Sequence, residues 1–158
     1  MEILYHSLKQ NELNLLSEFQ KNVWEKVFTL LKKLSKSQLS DDSYLEKGLG
    51  IDLFLKNKES DFVLYISLTD NCLYINSKYF DIYMYEETDI ENIRLTLNEI
   101  LLGKYLVRLS FGEKDKLISM KIKFVNKKLQ KFDYEKKISL FHHSVIREEE
   151  VHGPKFID

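Results

Sequence analysis

The sequence contains no alanine, one cysteine, one proline and five glycines among its 158 residues. Cys72 cannot form a disulfide within the chain, and no Cys/His cluster has the spacing of a zinc site. The first residues lack the basic region and apolar run of a signal peptide, and no stretch reaches the roughly 18 apolar residues of a membrane span. We therefore expect a cytoplasmic protein.

Motifs of catalysis and cofactor binding are also missing. Gly-rich phosphate loops, H-E-x-x-H and G-x-S-x-G do not occur. His142, His143 and His152 lie near Glu148 to Glu150 and offer ligand atoms for a divalent metal, but adjacent histidines on a strand point in opposite directions. The sequence therefore predicts no catalytic residue, no metal site and no cofactor.

The clearest structural pattern lies in the second half of the chain. Thr88 and Glu91 have the spacing of a capping box, so a helix should begin near Asp89 and continue to about residue 102. Gly103 then offers the left-handed conformation that ends many helices. From Tyr105 to Val125 the apolar residues alternate with a period of two, which predicts an antiparallel hairpin.

Earlier in the chain, a helical apolar pattern runs from about Asn11 to Leu39 and predicts one long helix or two short ones. A loop around Gly48 and Gly50 should follow. Four alternating runs between Ile51 and Tyr85 then predict an antiparallel meander.

The C-terminal part predicts a last strand from Ile138 to His142 and a loosely held tail from about residue 148. Strands and helices do not alternate regularly along the chain, and there is no sign of a linker. We therefore expect a single α+β domain over residues 1 to 158, with a mostly antiparallel sheet and the helices packed on one of its faces.

Charge is distributed unevenly along a chain whose net charge is −1. Residues 41 to 103 carry a balance of minus eight, whereas residues 104 to 137 carry plus seven. This asymmetry predicts two candidate interaction surfaces of opposite sign.

The acidic candidate is the face of the meander that points away from the helices, together with the glutamates that follow it. Its residues are Asp52, Tyr65, Tyr74, Asp81, Tyr83, Tyr85, Glu86 and Glu87. Tyrosine beside carboxylate is typical of a partner-binding surface, and clustered acids accelerate association with a basic partner. A third layer of the fold or a homodimer would also cover such a face.

The basic candidate is the segment from Lys104 to Lys137, where lysines interleave with aromatic residues as they do in nucleic-acid binders. Lys121 and Lys123 alternate with apolar residues, however, which is also typical of the solvated face of a strand. Arg108 is the only arginine in this segment. A nucleic-acid-associated protein is therefore the alternative function, and an uncharacterised enzyme is the third.

In its organisation the chain resembles the small immunity proteins that bacteria carry beside the toxins of contact-dependent inhibition and related secreted-toxin systems. The resemblance lies in the helix Thr88 to Gly103, the strand Lys104 to Leu109 after it, and the Tyr/Asp/Glu-rich stretch Asp81 to Glu91. It implies a compact, non-enzymatic cytosolic domain that binds a cognate protein toxin, often a basic nuclease. No nucleic acid or membrane partner is implied.

Overall fold

The computed structural model describes residues 10 to 35, 37 to 47, 50 to 132, 134 to 138 and 144 to 157. Short 3₁₀ segments lie at Glu113–Asp115 and Lys127–Phe132. The helices and strands within the described residues are α1 (Gln10–Leu15), α2 (Glu18–Leu31), β1 (Tyr44–Lys47), β2 (Ile51–Lys56), β3 (Val63–Leu68), β4 (Cys72–Ser77), β5 (Asp81–Tyr85), α3 (Ile90–Leu101), β6 (Tyr105–Phe111), β7 (Leu117–Phe124), β8 (Tyr134–Lys137) and β9 (Arg147–His152).

The strands form two antiparallel sheets. In the first sheet β1 to β5 follow one another in sequence order, as a meander requires. The second sheet has the order β8, β7, β6, β9. The predicted α+β class with antiparallel pairing is confirmed, as is the hairpin of β6 and β7. This hairpin does not extend the meander, however, because β8 and β9 flank it and complete a separate sheet.

The N-terminal apolar pattern forms two helices, and the second begins with a capping box of Ser17 and Gln20, which have the S-x-x-Q spacing in the sequence. The backbone N–H of Gln20 donates to Ser17 Oγ at 3.1 Å, and the N–H of Ser17 donates to Gln20 Oε1 at 2.9 Å. The Ser17 hydroxyl also donates to the carbonyl of Asp70 at 2.8 Å. This contact ties the start of α2 to the turn between β3 and β4.

Helix α3 lies where it is predicted, but Asp89 caps it rather than Thr88. The Asp89 carboxylate accepts the backbone N–H groups of Glu91 and Asn92 at 2.9 and 3.2 Å. A carboxylate carries a full negative charge, so it suits the positive end of the helix dipole better than the Thr88 hydroxyl does. Gly103 has φ +66°, which confirms its predicted role at the C-terminal end.

A strand, β1, lies in the region where the sequence predicts only a loop. Its four residues are too few to show a period in the sequence, and pairing with β2 determines its conformation. Near the other end of the chain, β8 ends at Lys137, before the strand predicted over Ile138 to His142. Ile138 is not part of a strand, and residues 139 to 142 lie outside the described residues.

The prediction of a loose C-terminal tail is wrong for residues 148 to 157. Strand β9 pairs with β6, and Phe156 and Ile157 are almost completely buried. The backbone N–H of Phe156 donates to Leu101 at 2.7 Å, and its carbonyl accepts the N–H of Ser35 at 2.9 Å. A pair of apolar residues after three glutamates produces no periodic signal, so the sequence pattern could not show this anchor.

One hydrophobic cluster joins the buried faces of both sheets with α2, α3 and the C-terminal Phe156. Phe80 and Tyr105 meet edge to face in this cluster, with ring centroids 5.5 Å apart. Phe156 lies 6.1 Å from the ring of Phe62. Within the described part of the chain, none of the helices has the length and apolar character needed to cross a membrane.

Replacing Phe156 by alanine should lower the free energy of unfolding by about 3 to 5 kcal/mol, because it leaves a cavity beside Phe62 in the core. Urea unfolding measures this loss. Ile146→Ala is the control, since this side chain is 65% exposed, and its effect should stay within about 0.5 kcal/mol. Equal, small effects of both substitutions would show that the C-terminal end does not anchor the fold.

Candidate functional site

The candidate site is the outer face of the first sheet, by which we mean the face directed away from the core. Side chains alternate along β2 to β5 between buried and more exposed positions. The predicted strand residues all occupy the more exposed positions: Asp52, Tyr65, Tyr74, Asp81, Tyr83 and Tyr85. The structure therefore brings these six residues together on one surface, as the sequence predicts.

The strand register arranges five of these residues in two neighbouring rows across the sheet, and Tyr85 pairs with Cys72 outside both rows. One row follows the pairing of Asp52 with Ser67, Ser67 with Tyr74 and Tyr74 with Tyr83. The second row contains Tyr44, Phe54, Tyr65, Asn76 and Asp81. Residues from five separate strands thus form one continuous polar and aromatic surface.

The tyrosines of this surface contact one another in a ladder from β3 to β5. Tyr74 stacks on Tyr83 with ring centroids 4.6 Å apart, and Tyr83 stacks on Tyr85 at 6.5 Å. Tyr65 meets Tyr74 edge to face at 6.2 Å. Such contacts stabilise by about 0.5 to 1.5 kcal/mol each beyond the area they bury, so they restrict the ring positions in the free protein.

The hydroxyl of Tyr65 donates a hydrogen bond to Asp52 Oδ1 at 2.7 Å. This hydrogen bond, together with burial, raises the pKa of Tyr65. The phenol therefore stays protonated as a donor, and the Asp52 carboxylate is held in a defined orientation.

Asp81 also accepts a hydrogen bond from a tyrosine, and it has two further donors. Its Oδ1 accepts hydrogen bonds from the hydroxyl of Tyr74, at 2.7 Å, and from the amide of Asn76. Its Oδ2 accepts a hydrogen bond from the Lys136 ammonium at 2.9 Å, which reaches over from β8 of the second sheet. Burial alone would raise the pKa of Asp81, but hydrogen bonds from Lys136, Tyr74 and Asn76 outweigh it and lower the pKa.

Glu86 and Glu87 follow β5 and are exposed. They line a cleft of about 450 Å³ between the N-terminal ends of α2 and α3, whose other walls are Glu18, Phe19, Asn22, Thr88 and Ile90. Glu18 adds a third carboxylate to the two predicted ones. The sequence pattern could not reveal this cleft, because α2 lies more than 50 residues away and only the packing of α2 on α3 closes the distance.

Those candidates for metal binding or nucleophilic chemistry that the structure describes do not form a site. Among the described residues, no group of three His, Cys, Asp or Glu side chains is arranged to hold a metal ion. His152 is exposed on β9, and His142 and His143 lie outside the described residues. Burial raises the pKa of the Cys72 thiol, which lowers the thiolate fraction that a nucleophile requires.

The basic segment does not form a surface of one sign. Arg108 on β6 lies 3.1 Å from Glu150 and 3.9 Å from Glu148, both on β9. Lys121 pairs across the sheet with Glu135 of β8. The acids of β9 therefore neutralise part of the positive balance between residues 104 and 137, in which Glu135 is already counted.

Two of the aromatic residues of the same segment belong to the core. Tyr105 and Phe124 are almost fully buried, and Phe111 lies under the guanidinium of Arg147. Tyr105 and Phe124 of the hairpin therefore point into the core. Neither ring can stack on a base without unfolding of the sheet.

Comparisons with known proteins add no assignment to this geometry. None of the protein-family models, curated proteins or solved structures compared with the chain matches it. The function must therefore be inferred from the surfaces described above.

Replacing Tyr74 by phenylalanine should make the protein less sensitive to alkali. Burial and the hydrogen bond to Asp81 raise the pKa of Tyr74 in the folded chain. The unfolded chain therefore loses this proton at about pH 10, whereas the folded chain keeps it. As a result, the free energy of unfolding falls as the pH rises further. Tyr74→Phe removes this part of the fall.

Urea unfolding between about pH 8 and about pH 11 measures the slope of stability against pH. The slope above about pH 10 should be shallower in Tyr74→Phe than in the wild type. The same slope in both proteins would contradict the raised pKa.

Proposed function

We propose that the protein is a non-enzymatic protein-binding module, an immunity protein that neutralises a cognate toxin in the bacterial cytoplasm. It binds the toxin through the outer face of the first sheet. The observation that carries this proposal is the tyrosine ladder on that face, whose last members, Tyr83 and Tyr85, are 55% and 49% exposed.

Exposed, stacked tyrosines are well suited to a protein interface. Each ring offers a large apolar area and a hydroxyl that can form hydrogen bonds, and tyrosine is enriched where proteins bind one another. The stacking of Tyr74, Tyr83 and Tyr85 restricts these rings before binding. Less conformational entropy is then lost when a partner covers them.

The charges on and beside this face favour a basic partner. Asp52, Glu86 and Glu87 add negative potential around the tyrosines, and such potential accelerates the approach of a positively charged protein. A basic nuclease toxin has this property. A second copy of the same face would bring like charges together, so the charges favour a different protein over a homodimer.

Expression of this chain with the product of the gene immediately upstream tests the proposal. If that product is a toxin, cells that express it should stop growing, and growth should resume when this chain is present. Purified complexes should contain both proteins. Unimpaired binding after the outer face is substituted would overturn the proposed interface.

Replacing Tyr83 or Tyr85 by alanine should weaken toxin binding by about 2 kcal/mol or more, because a buried aromatic anchor is lost. Isothermal titration calorimetry measures the change. Val125→Ala is the control, since Val125 is exposed at the end of β7 in the other sheet. Equal affinity of all three variants would place the interface elsewhere.

Charge reversal of Glu86 and Glu87 to lysine should act mainly on the association rate. Exposed charges steer a partner more than they hold it, and salt screens them over about 8 to 10 Å. The loss of rate should therefore shrink as the salt concentration rises. Reversal of Lys121 and Lys123 to glutamate is the control and should change the rate little.

Stopped-flow measurements over a series of salt concentrations distinguish the two effects. A larger loss of binding from the lysine variant than from the glutamate variant would favour the basic segment as the interface. If generic RNA or DNA also bound tightly and lost affinity only in the lysine variant, the immunity function would have to be abandoned.

A further inference from the structure

Two tyrosine and carboxylate pairs on the outer face share one arrangement, and one of them already holds a cation. Tyr74 donates to one oxygen of Asp81, and the ammonium of Lys136 lies 2.9 Å from the other oxygen. Tyr65 donates to Asp52 in the same way. No ion pair joins Asp52 to any lysine or arginine whose side chain the structure describes.

The cross-strand neighbour of Asp52 is a second carboxylate. Glu46 on β1 pairs directly with Asp52 on β2, and both side chains belong to the outer face. Like charges directly opposite each other destabilise an antiparallel pair, whereas a cation placed between them would remove this repulsion. The repulsion therefore indicates that this position suits a positively charged group.

Aromatic rings flank the same position. Tyr44 and Phe54 stack on each other with ring centroids 5.1 Å apart, in the row of residues next to Glu46 and Asp52. A guanidinium group can bridge two carboxylates with its fork of donors and can also lie against an aromatic ring. An ammonium group offers neither the planar fork nor the stacking surface.

We propose that Asp52, Glu46 and Tyr65 form a receptor for an arginine side chain of the partner protein, with the contact of Lys136 and Asp81 as its internal counterpart. This inference rests on the proposed function, because it identifies the chemistry that the outer face recognises. It places the most specific polar contact on β1 and β2. These strands lie at one edge of the outer face, and Tyr83 and Tyr85 lie on β5 at the other edge.

A peptide probe tests the receptor without the toxin. Tetra-arginine amide is titrated into the protein while the tyrosine ring signals are followed by NMR, and tetra-citrulline amide serves as the neutral isosteric control. The ring signals of Tyr65 and Tyr44 should shift in a saturable way with the arginine peptide only. Shifts of the same size with citrulline would overturn the proposal.

Two substitutions that each remove one negative charge distinguish binding at the receptor from general electrostatic attraction of the peptide to the protein. Asp52→Asn should weaken binding of the arginine peptide by about five-fold or more, because it removes the oriented carboxylate but leaves an acceptor for Tyr65. Glu113→Gln, on the hairpin of the second sheet, makes the same change in net charge and should cost less than about two-fold. Equal losses would mean that only net charge matters.

The exposed Glu46 provides a second variant that leaves the core untouched. Glu46→Gln should weaken binding by about two-fold or more, since one of the two carboxylates is lost. Melting temperatures of all three variants should be no lower than that of the wild type, since Glu46→Gln and Asp52→Asn each relieve the repulsion between the two carboxylates. If either Glu46→Gln or Asp52→Asn bound the arginine peptide as tightly as the wild type does, the receptor would be refuted.

A comparison of substitutions at Lys136 and Lys137 tests whether Asp81 is a carboxylate site equivalent to Asp52. Lys136→Gln releases Asp81 and should let the arginine peptide bind about three-fold more tightly than it binds to Lys137→Gln, which has the same net charge. Equal affinities of the two variants would overturn the equivalence of the two carboxylate sites.

The outcomes distinguish this inference from the proposed function. A chain that binds tetra-arginine through Asp52 but gives no protection from the upstream gene product would refute the immunity function and keep the arginine receptor. The opposite outcome is that Asp52→Asn still binds the toxin and protects the cells, while the wild type does not bind the arginine peptide. This outcome would refute the receptor and keep the immunity function.

Discussion

One-sided burial of the five-stranded sheet is the constraint on which the rest of the outer face depends. Leu53, Leu64 and Ile75 are at most 2% exposed, and each stabilises the fold by about 1.5 to 3 kcal/mol through burial. Because strand side chains alternate with a period of two, a shift of one residue would expose this apolar set. The positions of the tyrosines and carboxylates are therefore determined by the residues between them in sequence.

Ion pairs between distant segments change the meaning of the charge pattern. Lys136 belongs to the basic segment in sequence, but in the fold it neutralises Asp81 on the acidic face. Arg108 is likewise paired with Glu148 and Glu150 of β9. The positive segment is thus partly neutralised, whereas Asp52 and Glu46 face each other without a described cation. These carboxylates without a described cation lie beside exposed aromatic rings, which is why the proposed function uses this face.

Several residues of the candidate site escaped sequence reasoning for identifiable reasons. Tyr44 and Glu46 lie on β1, a strand of four residues whose conformation depends on pairing with β2. Glu18 and Lys136 reach the outer face and its adjoining cleft from segments more than 50 residues away. Local patterns describe which side of its own element a residue occupies, and they contain no information about which other elements come near it.

Local patterns are sufficient to predict the α+β class, the meander, α3 with Gly103 at its end, and the common face of Asp52, Tyr65, Tyr74, Asp81, Tyr83 and Tyr85. These features follow from periods of two and 3.6 residues and from local backbone conformation, which act over a few neighbouring positions. The same patterns do not predict that the strands divide into two sheets, that Phe156 anchors the C-terminal end, or which carboxylates are neutralised; these are features of the assembled fold. Those features depend on contacts between segments far apart in the chain, and their energies arise only when the whole core is assembled.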